Sequence, residues 1–409
     1  MAEAAAQFQK GLDQLKLLPD TLERKRQELE LHSALGAALI AVKGWGAPET
    51  GHVHLRAQEL WERLGSPAEF LHLPFGQSFH HVVRAEFDLA ERCDENLLRL
   101  SHQRNDTAGL VLGHHSSGRT LFYRGRFASS RSHQEEALTL YDPMSQRLLV
   151  DQAGFGPRVG VLGFLGLALF CLGFPDQALA QSNAAVAEAR RLAHPPSLAV
   201  SLTLGARLLW LVGDDAALDG QAEQLVAVTT EQGFPYWRAV GDIFRGWAKA
   251  KNGDLTEGIS LLRSGSTAFR ATGAEVYVPH HTAVLAGAYE IAGQIDEAVT
   301  VLDDALQMVE RTGERWLKAE LYRHKGQLLL RQGHSEAAEE LYRKALSIAK
   351  QQEAKLWELR AAASLARLRR DQGRRAEAHD LLAPVYGWFT EGFETPDLKE
   401  AKALLDELS

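Results

Sequence analysis

The amino-acid sequence predicts an all-α, right-handed α-solenoid of about nine helix pairs with a period of ~40 residues. Three observations carry this. Glycines stand at 173, 213, 253, 293, 333 and 373, each step being 40 residues. Around them one amphipathic pattern recurs, as in LALFCLGFPDQALAQSNAAV, WAKAKNGDLTEGISLL and YEIAGQIDEAVTVLDDAL. Within one copy, residues 319–352, apolar or small residues recur at helical spacing on both sides of Gly333 (Leu321, Leu328, Leu329; then Ala338, Leu341, Ala345, Ala349), the mark of two amphipathic helices around a turn. A fixed period held over a whole chain means stacked units, each burying its apolar face against the next.

Within that copy, Gly333 is placed to end the first helix with φ > 0. Ser335 then reads as an N-cap and Glu336 as a favourable first-turn acid. Small residues at Gly326, Ala338 and Ala345 allow helix backbones to approach closely. Together with the aromatic Tyr342 these match the spaced small, Ala, aromatic and Ala positions of the tetratricopeptide consensus, with helices lengthened beyond its period of about 34 residues. The match departs at Tyr322, where the consensus has Trp, and at Lys350, where it has Pro. In the copy around Gly253 the two Ala positions are Gly258 and Gly265, a departure that loosens the expected packing there.

The chain is expected to be one solenoid over 1–409. Residues 1–20 read as a half-repeat, the second helix of a pair without its first, as in a fragment of a longer protein. Thr21 or Asp20 caps the next helix. Residues 21–386 hold the repeats. The first pair is expected at 22–44 and 55–64 around the helix-breaking WGAPETGHV. Ala85 and Gly125 continue the series backwards. An eight-residue excess falls at 142–158, which reads as a surface connector or as a loop over the binding face. Residues 387–409 form a C-terminal capping helix, with Thr395 as N-cap and Pro396 at its first position.

The resemblance extends beyond the repeat. LDQLKLLPDTLERKRQELELHSALGAAL, TEQGFPYWRAVGDIFRGWA and LLAPVYGWFTEGFETPDLKEAKALLDEL make the chain similar, nearly end to end, to the C-terminal tetratricopeptide sensor region of bacterial signal-transduction ATPases and adenylate-cyclase-type regulators. The resemblance implies a non-catalytic sensor and protein-interaction module serving an ATPase or cyclase, attached or separate. The chain has no G-x-x-x-x-G-K-[ST] with which to cradle a triphosphate.

Composition narrows the classes further. Hydrophobic content of 45% with 24% charge is that of an ordinary soluble protein. A net charge of -8 lacks the basic stripe that nucleic acid requires. Cys93 and Cys171 cannot form a disulfide framework and suit reduced thiols in a cytoplasm. The longest uncharged run, 159–175, reads as a buried solenoid helix rather than a membrane span.

Chemistry-bearing motifs are few. His80-His81, His114-His115 and His280-His281 are adjacent pairs, whose side chains diverge by about 100° on a helix and do not converge on one metal. No cofactor is implied, and no nucleophile motif stands out. Function is therefore placed on the concave face lined by first helices: Arg119, Tyr123, Arg207, Trp210, Trp247, His280, Arg323, Arg360 and Arg367. Arginine beside aromatic suits recognition of a protein or peptide, and the C-terminal arginines, read as lacking matching acids, suit an acidic segment. Trp210 and Trp247 equally fit inter-repeat core. The alternative function is a receptor that closes around a small molecule.

Overall fold

The computed structural model describes residues 2–67, 70, 72–142, 150 and 153–409. Their regular elements are twenty α-helices. α1 (Ala2–Leu15) precedes nine pairs. The first three are α2/α3 (Leu22–Lys43, Pro48–Arg63), α4/α5 (His72–Val83, Phe87–Arg104) and α6/α7 (Thr107–Tyr123, Phe127–Leu140). The next three are α8/α9 (Pro157–Leu172, Pro175–Leu192), α10/α11 (Pro195–Val212, Asp215–Gln232) and α12/α13 (Pro235–Lys251, Leu255–Ala271). The last are α14/α15 (Val278–Ile291, Ile295–Thr312), α16/α17 (Lys318–Arg331, Ser335–Gln351) and α18/α19 (Lys355–Asp371, Arg375–Tyr386). α20 (Pro396–Leu408) closes the series.

The glycine comb does what its spacing implies. Gly173, Gly213, Gly253, Gly293, Gly333 and Gly373 all take φ between 74° and 95°, a left-handed conformation in which a Cβ would be strained. Ala85 occupies the same place in its repeat and adopts φ 56° despite its methyl group. Ala338 and Ala345 are fully buried between helices.

Three local expectations are corrected. Ser335 is the first helical residue; His334 is the N-cap, and no side chain caps α17. The WGAPETGHV stretch is not all turn, because Pro48 occupies the first turn of α3, where its missing N–H costs nothing. Gly258 and Gly265 tighten the packing of α13 on α12 instead of loosening it. A Cβ on Gly258 would lie 2.7 Å from the Gly246 carbonyl oxygen, and one on Gly265 2.9 Å from Ile243.

The connector at 142–158 lies partly outside the described residues. Where it is described, Ala153 and Phe155 are buried. The apolar run is a core helix: every residue from Val159 to Leu172 in α8 is buried. Among the described residues one helix, α10, is long and apolar enough to cross a membrane, and 67% of it is buried.

The solenoid closes on itself. The Val83 carbonyl at the end of α4 accepts the N–H groups of Glu275 (2.8 Å) and Val276 (3.0 Å), which lead into α14. The Tyr123 carbonyl at the end of α6 accepts those of Arg315 (2.7 Å) and Trp316 (3.2 Å), which lead into α16. The end of α8 meets the start of α18 through Phe170 and Trp357, ring centroids 5.8 Å apart. Each contact joins a first helix to the one five pairs later, so about five pairs make one turn. Successive turns stack end to end, and the first helices pack inward into one large apolar cluster running from Trp45 to Leu408.

Candidate functional site

The nine candidate residues divide among three environments. Arg119, Tyr123, Arg207 and His280, expected on the concave face, are buried in the closed interior. The reason is the tight turn: first helices facing one another across so small a radius fill the groove with their own side chains.

Arg119 sits over the Phe79 ring at 4.4 Å and donates through Nη2 to the hydroxyls of Ser78 (3.0 Å) and Ser116 (3.3 Å). Those serines and Thr120 surround the buried Asp94 carboxylate, with Thr120 Oγ1 donating at 2.7 Å. Burial raises the Asp94 pKa, opposed by the Arg119 charge and these hydroxyls. Arg207 lies 3.5 Å above the Tyr277 ring with Nε and Nη2 unpartnered. His280 stands between Trp210 (4.8 Å) and Trp316 (5.4 Å), and burial holds it neutral.

Trp210, Trp247, Arg323 and Arg360 do come together, lining a cleft of about 410 Å³ near the C-terminal end. The two indoles meet edge to face at 6.0 Å, and Trp247 Nε1 donates to Asp215 at 2.8 Å. The arginines here are not bare. Arg323 forks onto Glu320 (2.7 and 2.9 Å), and Arg360 forks onto Asp397 (2.8 and 2.8 Å). Glu290, on the same wall, is held at about 2: burial opposes its charge, but hydrogen bonds from His324, Arg331 and Gln327 prevail. Arg367 lies apart, half exposed, and pairs with Glu400 at 2.7 Å. All three C-terminal arginines thus have carboxylate partners within the chain, which corrects the reading of them as uncompensated. Asp397 and Glu400 come from α20, which a single-helix view could not place, while Glu320 lies on α16, the helix of Arg323 itself.

A further environment, which holds none of the nine residues, was missed. A chamber of about 470 Å³ opens between α2, α4, the segment before α8, and the N-terminal ends of α10 and α12. Trp45, Phe70, Phe75, Phe155, Phe234 and Trp237 supply its aromatic wall. His54, His72 and His194 add polar edges, and Ser33 Oγ lies 2.9 Å from His72 Nε2. His54 Nε2 is buried and has no hydrogen-bond partner. Burial, with His80 and His72 nearby, lowers the His54 pKa to about 3, so the ring is neutral. One periodic signal pointed toward the interior: aromatic residues head successive first helices at Tyr236, Tyr277, Trp316 and Trp357.

Of the adjacent histidine pairs, His80 Nδ1 lies 2.7 Å from the Trp45 carbonyl, and His81 Nδ1 2.7 Å from Glu86. His114 faces His133 at 3.2 Å. Each side chain has its own neighbour rather than a shared focus.

Comparison with known proteins gives these likenesses among others. Residues 280–351 match the tetratricopeptide repeat family. An uncharacterised Rhizobium meliloti (strain 1021) protein is 27% identical over 218 residues, 53% of this chain and 21% of its own length. This chain thus spans about a fifth of that relative. The crystal structure of a Rap protein complexed with competence and sporulation factor superposes with a TM-score of 0.60 at 14% identity, covering 86% of this chain and 93% of that one. The apo form of the quorum sensor NprR from B. thuringiensis gives 0.50 at 13% identity, covering 89% and 98%. These likenesses and the nine stacked helix pairs describe a tetratricopeptide-like solenoid, with its family match in α14 to α17.

Proposed function

We propose that this chain is a non-catalytic sensor and protein-interaction scaffold, one solenoid over 1–409, that regulates a signalling ATPase or nucleotide cyclase attached to it or separate from it. The observation that carries the reading is the position of the chamber. Its walls come from α2 and α12, five pairs apart, so an occupant touches consecutive turns of the superhelix at once. The hydrogen bonds joining those turns are few, and some rest on single carbonyls such as those of Val83 and Tyr123. A ligand binding one spacing of the turns better than another shifts the population toward it, by no more than its differential affinity. The fold neighbours include a Rap protein complexed with competence and sporulation factor and a quorum sensor, which agrees with such a role.

The partner surface in this reading is the Trp210–Trp247 cleft with Arg323 and Arg360. Because those arginines are already paired, an acidic partner must compete with Glu320 and Asp397 for them. The test replaces ligand by side chain. Ala37→Trp places an indole in the chamber mouth, where Ala37 is exposed. Hydrogen exchange at the amides of Glu275, Val276, Arg315 and Trp316 is then compared with wild type, alongside co-purification with a cyclase or ATPase module. Altered exchange together with altered capture is expected. Unchanged exchange at all four amides would sever the chamber from the contacts between turns and end the sensor reading.

A further inference from the structure

We propose that the chamber between α2, α4 and α12 is a binding site for a neutral aromatic small molecule; the inference rests on the sensor reading and names its ligand class. The volume of about 470 Å³ lies within the roughly 300–1,000 Å³ of pockets that enclose drug-sized ligands. Aromatic faces dominate the wall, and Trp45 and Trp237 stand on opposite turns of the superhelix. A flat ring between such faces gains offset or edge contacts that an aliphatic chain does not.

Charge decides the class. Among the described lining residues none is lysine or arginine, and the histidine whose titration is resolved, His54, is neutral. An anion buried here would lose its hydration and meet no lysine or arginine among the described lining residues, a cost that apolar contact does not recover. A cation would find one acid, Glu30, which is solvent-exposed at the rim and so weak as a partner. A neutral ligand with one hydrogen-bonding group meets neither penalty and has a waiting partner in His54 Nε2. An extended peptide would need partners for several backbone amides. Among the described lining residues, hydrogen-bonding side chains come from Glu30, Ser33, the three histidines and the indole N–H groups of Trp45 and Trp237, and Ser33 and His72 are already paired with one another.

The experiment uses three probes that share one ring and differ in charge: indole-3-acetamide, indole-3-acetate and tryptamine. Each is titrated calorimetrically into the full chain at neutral pH, together with a capped diphenylalanine peptide. The amide is expected to bind at least tenfold tighter than the acetate, tryptamine or the peptide. Ala37→Trp should weaken the amide at least tenfold, and His54→Phe about fivefold, with circular dichroism melts confirming that both variants fold. Tighter binding of the acetate, tryptamine or the peptide would overturn the assignment, as would absence of heat from the amide up to its solubility limit or equal affinity in Ala37→Trp. Small-angle scattering of the amide-loaded chain separates this inference from the one beneath it. Binding without any change in dimensions would leave the ligand class standing and remove the sensor reading. A change in dimensions with the acetate alone would do the reverse.

Discussion

The Glu314 carboxylate accepts the Tyr277 backbone N–H at 3.2 and 3.1 Å through its two oxygens, while Trp316 Nε1 donates to it at 2.8 Å. It is buried where two turns of the superhelix meet, with Arg207 the nearest influential cation. Burial raises its pKa from 4.5 to about 7, against the opposing pull of the Trp316 and Tyr277 donors and Arg207. The native chain therefore holds a proton that the unfolded chain releases, and stability falls as pH rises from about 4.5 to about 7. A shift of that size corresponds to about 3 kcal/mol at most. Neutral buried histidines act in the other direction. His54 and His115, both pushed to about 3 by burial, cost stability as pH falls below 6.5. Glu314→Gln keeps an acceptor and removes the titration. Urea melts across this range should then show stability falling monotonically toward acid, without the opposing loss between pH 4.5 and 7 that wild type adds. An unchanged pH profile in the variant would show that Glu314 is not the titrating group.

Arg360 and Arg367 were grouped by sequence and are separated by structure. The Arg360 side chain is 16% exposed and holds Asp397, Glu320 and the Leu211 carbonyl together. Removing it leaves the largely covered Asp397 carboxylate without its partner, while Glu320 keeps Arg323; breaking one side of a buried pair typically costs about 3–5 kcal/mol. The Arg367–Glu400 pair is exposed on both sides and contributes about 0–1 kcal/mol. Arg360→Ala should thus lower the urea midpoint strongly and Arg367→Ala scarcely at all. Equal effects would mean that the α18–α20 contact is not held by the Arg360 fork.

The divided outcome for those arginines shows where sequence reasoning reaches. Gly333, Ala338 and Ala345 could be placed because their constraints are local: a left-handed turn and a close helix approach repeat every 40 residues. Val83 with Glu275, or Arg360 with Leu211, depends on how many pairs complete a turn, and small rotations between repeats accumulate to set that number. No single repeat carries it. His54 and Trp45 gather around the chamber for the same reason, from segments that meet only after the superhelix has gone once around. Trp210 and Trp247 were legible as neighbours because they lie in successive first helices.

Ala338 tests the local part. It is fully buried in a cluster with Tyr342, Leu365 and Leu368, and its carbonyl lies beside the small Gly326. Ala338→Leu adds three carbons in a fully buried contact with the facing helix, and overpacking of this kind costs about 1–3 kcal/mol. The measurement is the urea midpoint at constant slope. No loss of stability would mean that α16 and α17 separate without penalty, contrary to their close approach.

Gly258 and Gly220 make the last prediction, because helix propensity alone treats them alike. Both lie inside helices, α13 and α11, where replacing glycine by alanine ordinarily stabilises by about 0.8–1 kcal/mol. At Gly220 a Cβ meets nothing within 4 Å, so Gly220→Ala should realise most of that gain. At Gly258 the Cβ would lie 2.7 Å from the Gly246 carbonyl oxygen and 2.8 Å from the Ala250 nitrogen, both backbone atoms that cannot rotate away. Gly246 is equally confined, its Cβ 2.8 Å from the Gly258 carbonyl oxygen. Relief requires α12 and α13 to move apart, which opens the contacts of Leu262 with Ile243 in their shared core. The strain of about 1–3 kcal/mol exceeds the propensity gain, so Gly258→Ala should destabilise while Gly220→Ala stabilises. Denaturant melts of the two variants decide it by sign. A gain at both positions would show that α12 and α13 are not in backbone contact.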